Sequence, residues 1–186
     1  MSFKHHINYL VQRLSRTSAL IYQLKDFMPT FVLKTIYHAH IGSILSYCNI
    51  IWSGAYVTNL MPLTLILKRI IRNITCSEFL AHTKPLFRET KILDLPNLRL
   101  YSLALYFLKH KIYNDYNLNR HHTYETRHRH NLHLPAHRSR LYRQSFLCES
   151  IVFWNEIMNS PMIEIDTANN LHTFKRRIKA YLLSKD

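Results

Sequence analysis

The sequence predicts an all-α fold, an irregular bundle of about six helices joined through two irregular connectors. Three observations carry that prediction. Only two glycines occur in 186 residues, Gly42 and Gly54, too few for a β-rich fold whose tight hairpins draw on positive-φ glycines. Hydrophobic residues make up 47% of the chain, a density that buries enough apolar surface to offset the ordering entropy of folding. They also recur at spacings of three, four and seven, which places them on one face of a helix.

Phe3, Ile7, Leu10, Leu14, Ile21 and Leu24 define the first helix, and Pro29 ends it. Thr30 is placed to cap a second helix from Phe31 to about Ser53. Its apolar stripe is Val32, Ile36, Ala39, Leu45, Cys48 and Trp52, and Gly54 stops it. A third helix runs from about Leu60 to Thr75. It turns Leu63, Ile66, Leu67, Ile70, Ile71 and Ile74 to one side and Lys68, Arg69 and Arg72 to another. The stretch AHTKPLFRETKILDLP has no clean period and reads as the first connector, with one short helical turn. Asp94, with Pro96 in the first turn, opens a fourth helix whose face is Leu98, Tyr101, Leu105, Leu108 and Ile112.

The second connector is strongly basic: residues 120–143 hold six arginines and six histidines against one acidic residue, Glu125. Beyond it, SFLCESIVFWNEIMN is apolar on most sides and reads as a buried helix ended by Pro161. Asp166 or Thr167 then caps NNLHTFKRRIKAYLL, with Leu171, Phe174, Ile178 and Leu182 facing inward. Lys175, Arg176, Arg177 and Lys179 face outward on the same helix. The organisation expected is a helical body over residues 1–119, a basic connector over 120–144, and a C-terminal helical pair over 145–186 packing on the body.

The formal charge is +14 and the isoelectric point about 9.9. So basic a chain repels itself and attracts polyanions, which favours nucleic acid, an anionic membrane surface or an acidic protein as partner class. From Ile41 to Leu67 there is no charged residue, a length that could span a bilayer. Asn49, Gly54, Asn59 and Pro62 interrupt it, so a buried helical hairpin is expected there and no membrane span. Cys48, Cys76 and Cys148 are widely spaced and odd in number, which points to a reducing compartment and not to a disulfide framework.

Within the basic connector, Tyr124 and Tyr142 offer stacking surfaces, while Arg127, Arg129, Arg138, Arg140 and Arg143 offer phosphate forks. These are the first candidate nucleic-acid contacts. Lys68, Arg69 and Arg72 on the third helix, and Lys175, Arg176 and Arg177 on the last, are the second and third groups, each weighed against an ordinary solvated face. His128, His130, His133 and His137 are close enough to suggest zinc. Pro135 removes the helix that an i, i+4 pair needs, and the neighbouring arginines repel a dication, so no metal and no cofactor are expected. No nucleophile elbow and no glycine-rich phosphate loop is present, and the chain is not expected to catalyse a reaction or to take a small-molecule substrate. Trp52 and Trp154 fall on apolar stripes and read as core anchors. Cys48 and Cys148 read as small buried hydrophobes.

The order of these signals resembles the region just downstream of the polymerase palm in reverse transcriptases of jockey-like non-LTR retrotransposons. The matching pieces are HINYLVQRLSR, IYHAHIGSILSYCNIIWS, LKRIIRNIT, HTKPLFRETKILDL, YETRHRHNLHLP, SIVFWNEIM and HTFKRRIKAYLL. They cover nearly the whole chain; each alone is weak, and together they are fairly specific. The resemblance implies that the first helices belong to the thumb side of a polymerase, which grips primer and template, and that the basic tail contacts element RNA or target DNA. Such polymerases hold two divalent metals on paired aspartates. Here Asp26, Asp94, Asp115, Asp166 and Asp186 are scattered and no Asp-Asp pair occurs. A C-terminal fragment that binds without chemistry of its own is therefore expected. Two alternatives stay open: a structural remnant whose helices need the missing palm, and a free-standing basic helical module.

Overall fold

The computed structural model describes residues 3–110, 112, 131–136, 138–143, 145–160 and 171–185. Among them every regular element is helical, so the fold class is all-α. The chain divides into two compact units, Met1–Leu98 and Arg99–Asp186. The division falls inside the fourth expected helix, whereas the sequence suggested a body continuing to residue 119.

In the first unit, α1 (Lys4–Leu24) lays Ile7, Leu10, Leu14 and Ile21 into the core. It packs mainly along α5 (Val57–Ile74), which contributes Leu63, Leu67, Ile70, Ile71 and Ile74. Both helices show the spacing of one apolar stripe, and the core cluster is built where the two stripes meet. The α5 helix starts before the expected Leu60, so Pro62 lies inside it and not at its entrance.

The single long helix expected from Phe31 to Ser53 is broken. Thr30 does not cap it; it is the first residue of α2 (Thr30–Ile36), with Pro29 in the cap position and no side-chain cap bond. A π-helical turn follows over Tyr37–Gly42, then α3 (Ser43–Ser46). The buried residues here are Leu33, Tyr37, Ile41 and Leu45, each four residues after the last. At 3.6 residues per turn, a strict step of four drifts by about 40° each time. The wider π turn absorbs that drift and keeps all four side chains on the core. Chain direction then changes at Tyr47, which is extended, and Cys48, which is left-handed at φ 48°. The indole of Trp52, in α4 (Asn49–Trp52), donates to the Tyr47 carbonyl at 2.8 Å and holds the corner. Ala39 and Cys48, both expected in the apolar stripe, are exposed as a consequence of this break.

The first connector contains more structure than its irregular pattern suggests. Residues Thr83–Thr90 form α6, two turns that bury Phe87. Lys91 ends it in the left-handed conformation at φ 56°, with its N–H on Arg88 and that of Ile92 on Phe87. Asp94 then opens α7 (Leu95–Lys109) as expected: its Oδ1 accepts from the Asn97 N–H at 3.2 Å.

The second unit is organised around α9 (Phe146–Met158), the expected buried helix, with Ser145 capping it through the Cys148 N–H. Ile151, Phe153, Trp154 and Ile157 are buried along it. Trp154 meets Phe107 of α7 at 5.0 Å and Phe174 of α10 (Leu171–Ser184) at 6.0 Å between ring centroids. A single turn, α8 (Arg140–Arg143), precedes α9. On α7 the buried residues are Leu95, Arg99, Leu103, Ala104 and Phe107, and the expected face of Leu98, Tyr101, Leu105, Leu108 and Ile112 is only half-buried. That helix is apolar nearly all round, so periodicity does not select a face. Leu171, expected inward, is exposed at the start of α10. The expected caps Asp166 and Thr167 lie outside the described residues.

Candidate nucleic-acid interface

The basic connector is attached to the second unit at a defined point. Leu132 is buried, and the Asn155 carboxamide of α9 pairs with both of its backbone groups. Asn155 Oδ1 accepts from the Leu132 N–H at 2.8 Å, and Asn155 Nδ2 donates to the Leu132 carbonyl at 3.0 Å. One residue earlier, Asn159 Nδ2 donates to Asn131 Oδ1 at 3.1 Å. A buried backbone needs such partners, and here a side chain stands in for a neighbouring strand. The sequence reading missed Asn155 and Asn159; their i, i+4 spacing on one helix was the available signal.

From that anchor the chain leaves as an exposed cationic stretch. His133, Arg138, Tyr142 and Arg143 are exposed, and the Ser139 hydroxyl accepts from the Tyr142 N–H at 3.2 Å to start the α8 turn. Tyr124, Arg127 and Arg129 lie outside the described residues, as does the side chain of Arg140. The described part of the connector thus begins at Asn131 and is followed by the cap Ser145.

The α5 cations divide in role. Arg69 is exposed and Lys68 half-buried, but Arg72 Nε donates to the Ala81 carbonyl at 3.0 Å and ties the end of α5 to the following loop. On α10, Lys175 and Arg176 are exposed, while Arg177 and Lys179 are half-buried. The opposite side of α10 is held by Glu156 of α9, whose Oε1 accepts from Tyr181 Oη at 2.7 Å and Lys185 Nζ at 2.5 Å. Burial alone would raise the Glu156 carboxyl. The two hydrogen bonds and the Lys185 charge outweigh it and hold the carboxyl below its ordinary value. Burial, and then the bond and charge of Glu156, push the Tyr181 hydroxyl up to about 12.

The second unit also contains a charge the sequence reading left unassigned. Arg99 of α7 is buried, and its guanidinium pairs with Glu149 of α9, Nε to Oε2 at 2.7 Å. It joins two helices and is removed from any partner-facing surface.

Among the described residues no group of histidine, cysteine, aspartate or glutamate is arranged to hold a metal. His133 is exposed with Nδ1 2.8 Å from the Leu134 carbonyl; His128, His130 and His137 lie outside the described residues. No described helix is long and apolar enough to cross a membrane. Cys48 and Cys76 are exposed with left-handed backbones, and Cys148 is buried as the sequence suggested. Trp52 and Trp154 are both buried, each in the core of its own unit. Compared with known proteins, the chain matches no protein-family model, no curated protein and no solved structure.

Proposed function

We propose that this chain is a nucleic-acid-binding C-terminal region of a non-LTR retrotransposon reverse transcriptase, gripping template and primer or element RNA without chemistry of its own. The observation that supports it most is the anchored basic connector. Asn155 holds Leu132 by both backbone groups, so the cations that follow start from a fixed point and not from the end of a free tail. Anchoring lowers the ordering cost when those side chains meet phosphates. Lys68 and Arg69, and Lys175 and Arg176, would extend the contact.

The test is a fluorescence-anisotropy titration of the chain with a labelled RNA–DNA hybrid at several salt concentrations. If six to ten cations meet phosphates, affinity falls by about 10³- to 10⁵-fold between roughly 50 and 200 mM salt. A variant with Arg127, Arg129, Arg138 and Arg140 changed to alanine loses most of that binding and flattens the slope. Binding that is shallow in salt, or unchanged in the variant, would sink the proposal.

A second reading is favoured by a different feature. Val57, Met61 and Leu65 recur every four residues on α5 and are all exposed. Helices that dock on a further protein body, such as a polymerase palm, would present such a stripe. A monodisperse, stable chain whose behaviour is indifferent to Met61→Glu and Leu65→Glu would count against it.

A further inference from the structure

Two loops of the first unit meet at one end of the α1–α5 pair, and both present bare apolar side chains. After α1 the chain turns through Asp26, Phe27 and Met28, with the Phe27 and Met28 N–H groups on the Leu24 carbonyl at 3.1 and 2.9 Å. After α5, Cys76 is left-handed at φ 50°, and its N–H on Asn73 and that of Ser77 on Arg72 close the helix. The turn Glu78–Ala81 follows, closed by the Ala81 N–H on the Glu78 carbonyl at 3.1 Å and held by Arg72 Nε on the Ala81 carbonyl. Phe79 and Leu80 are its two central residues. Cys76 Sγ lies 3.9 Å from the Lys25 carbonyl oxygen and joins the two loops. Phe27 is 83% exposed, Phe79 75%, Leu80 85%, and Phe31, in the first turn of α2, 70%. Charge at this end departs from the rest of the unit. No acidic residue other than Asp26 and Glu78 precedes Glu89 in the chain, and each directly precedes one of these phenylalanines. Neither carboxylate has a hydrogen bond or ion pair among the described residues. On the same two loops stand Lys25 and Lys84, so two lysines balance two carboxylates in a chain of charge +14.

We infer that this end of the first unit is a self-association surface, on which a second copy of the chain docks about a two-fold axis. Two chains of charge +14 repel each other wherever their cationic surfaces approach. At this balanced end they meet without that repulsion. The two-fold sets Lys25 and Lys84 of each copy against Asp26 and Glu78 of the other, the reciprocity that an isologous contact requires. Phe27, Phe31, Phe79 and Leu80 make its apolar centre; an aromatic ring buries about 150–250 Å² and dominates such contacts. Both turns are already closed by their own hydrogen bonds, so docking orders little that is not ordered beforehand. The same carboxylates turn nucleic acid and anionic lipid away, since both would bring phosphates against Asp26 and Glu78. A patch of this extent is small beside a permanent interface, so the dimer is weak and reversible.

The experiment is sedimentation equilibrium of the full chain, freed of nucleic acid. The parent is expected to pass from monomer to dimer over roughly 1 to 100 μM. Phe27→Ser/Phe79→Ser should weaken the dimer at least about tenfold. Both rings lie outside the core, and an unchanged melting midpoint confirms the fold. A charge swap supplies the second measurement. Asp26→Lys/Glu78→Lys and Lys25→Glu/Lys84→Glu should each stay monomeric alone and form a dimer when mixed in equal amounts. A parent that remains monomeric over the whole range, a dimer that survives the phenylalanine pair, or a mixture that stays monomeric overturns the inference. A monomeric parent that sediments with phosphatidylserine vesicles through the same phenylalanines also overturns it, and assigns the two loops to a lipid surface. None of these results bears on the connector proposal, which is read by hybrid binding.

Discussion

Asn155 shows how one side chain can fix the backbone of a charged segment. It occupies the donor and the acceptor of Leu132, two groups that burial would otherwise leave without partners. Unmade buried hydrogen bonds cost about 1–3 kcal/mol each. Asn155→Ala is therefore expected to destabilise the chain by about 2 kcal/mol or more in urea unfolding. Limited proteolysis should then open first near residues 131–136. The same variant weakens hybrid binding if anchoring matters to the grip, with the arginines themselves intact. Arg99 makes the opposite point: a cation that sequence alone counts toward a basic surface is spent inside, on Glu149.

At the scale of elements, backbone conformation at two positions decides local stability. Lys91 ends α6 with φ 56°, a region where a Cβ is strained. Lys91→Gly relieves that strain and should raise stability by about 0.5–1 kcal/mol, read as a shift in the urea midpoint. Gly42 lies at the end of the π turn with a helical backbone. A Cβ there would meet His38 Nδ1 and the Tyr37 carbonyl oxygen at 3.7 Å, ordinary contact distances. Glycine is needed neither for φ nor for space, so Gly42→Ala should stabilise by about 0.5–1 kcal/mol. A loss on that substitution would show that the π turn depends on a flexible residue.

Over the whole molecule, charge is spread evenly. The first unit holds eleven lysines and arginines against four acidic residues, and the second fourteen against seven, so each carries the same excess. The polyanion reading is thus not a property of the connector alone. The pair of Tyr181 and Glu156 contributes a pH response to the second unit. A Tyr181 hydroxyl raised from 10.0 to about 12 favours folding fully below pH 10, and that contribution is lost as pH rises through about 12. Glu156, held below 4.5, contributes above that value and loses its contribution as pH falls through its lowered pKa. Unfolding midpoints followed from roughly pH 8 to 12 should fall more steeply in the parent than in Tyr181→Phe.

Periodicity was enough to place α1, α5 and α10, because each has a single apolar stripe separated from its polar face, while apolarity on most sides marked α9 as a buried helix. Asp94 and the buried tryptophans were legible for the same reason: a cap and a large apolar ring each have few places to go. The sequence by itself also determined the net charge and the scarcity of glycine, and with the latter the all-α class; the former is the ground of the proposed polyanion partner. Only tertiary structure decided the rest. Which face of α7 is buried, where the Thr30–Trp52 region breaks, and which arginines face solvent all depend on partners far away in the chain. A helix apolar on every side, or a charge with a carboxylate waiting fifty residues on, contains no local signal of where it will point; packing against another element supplies it.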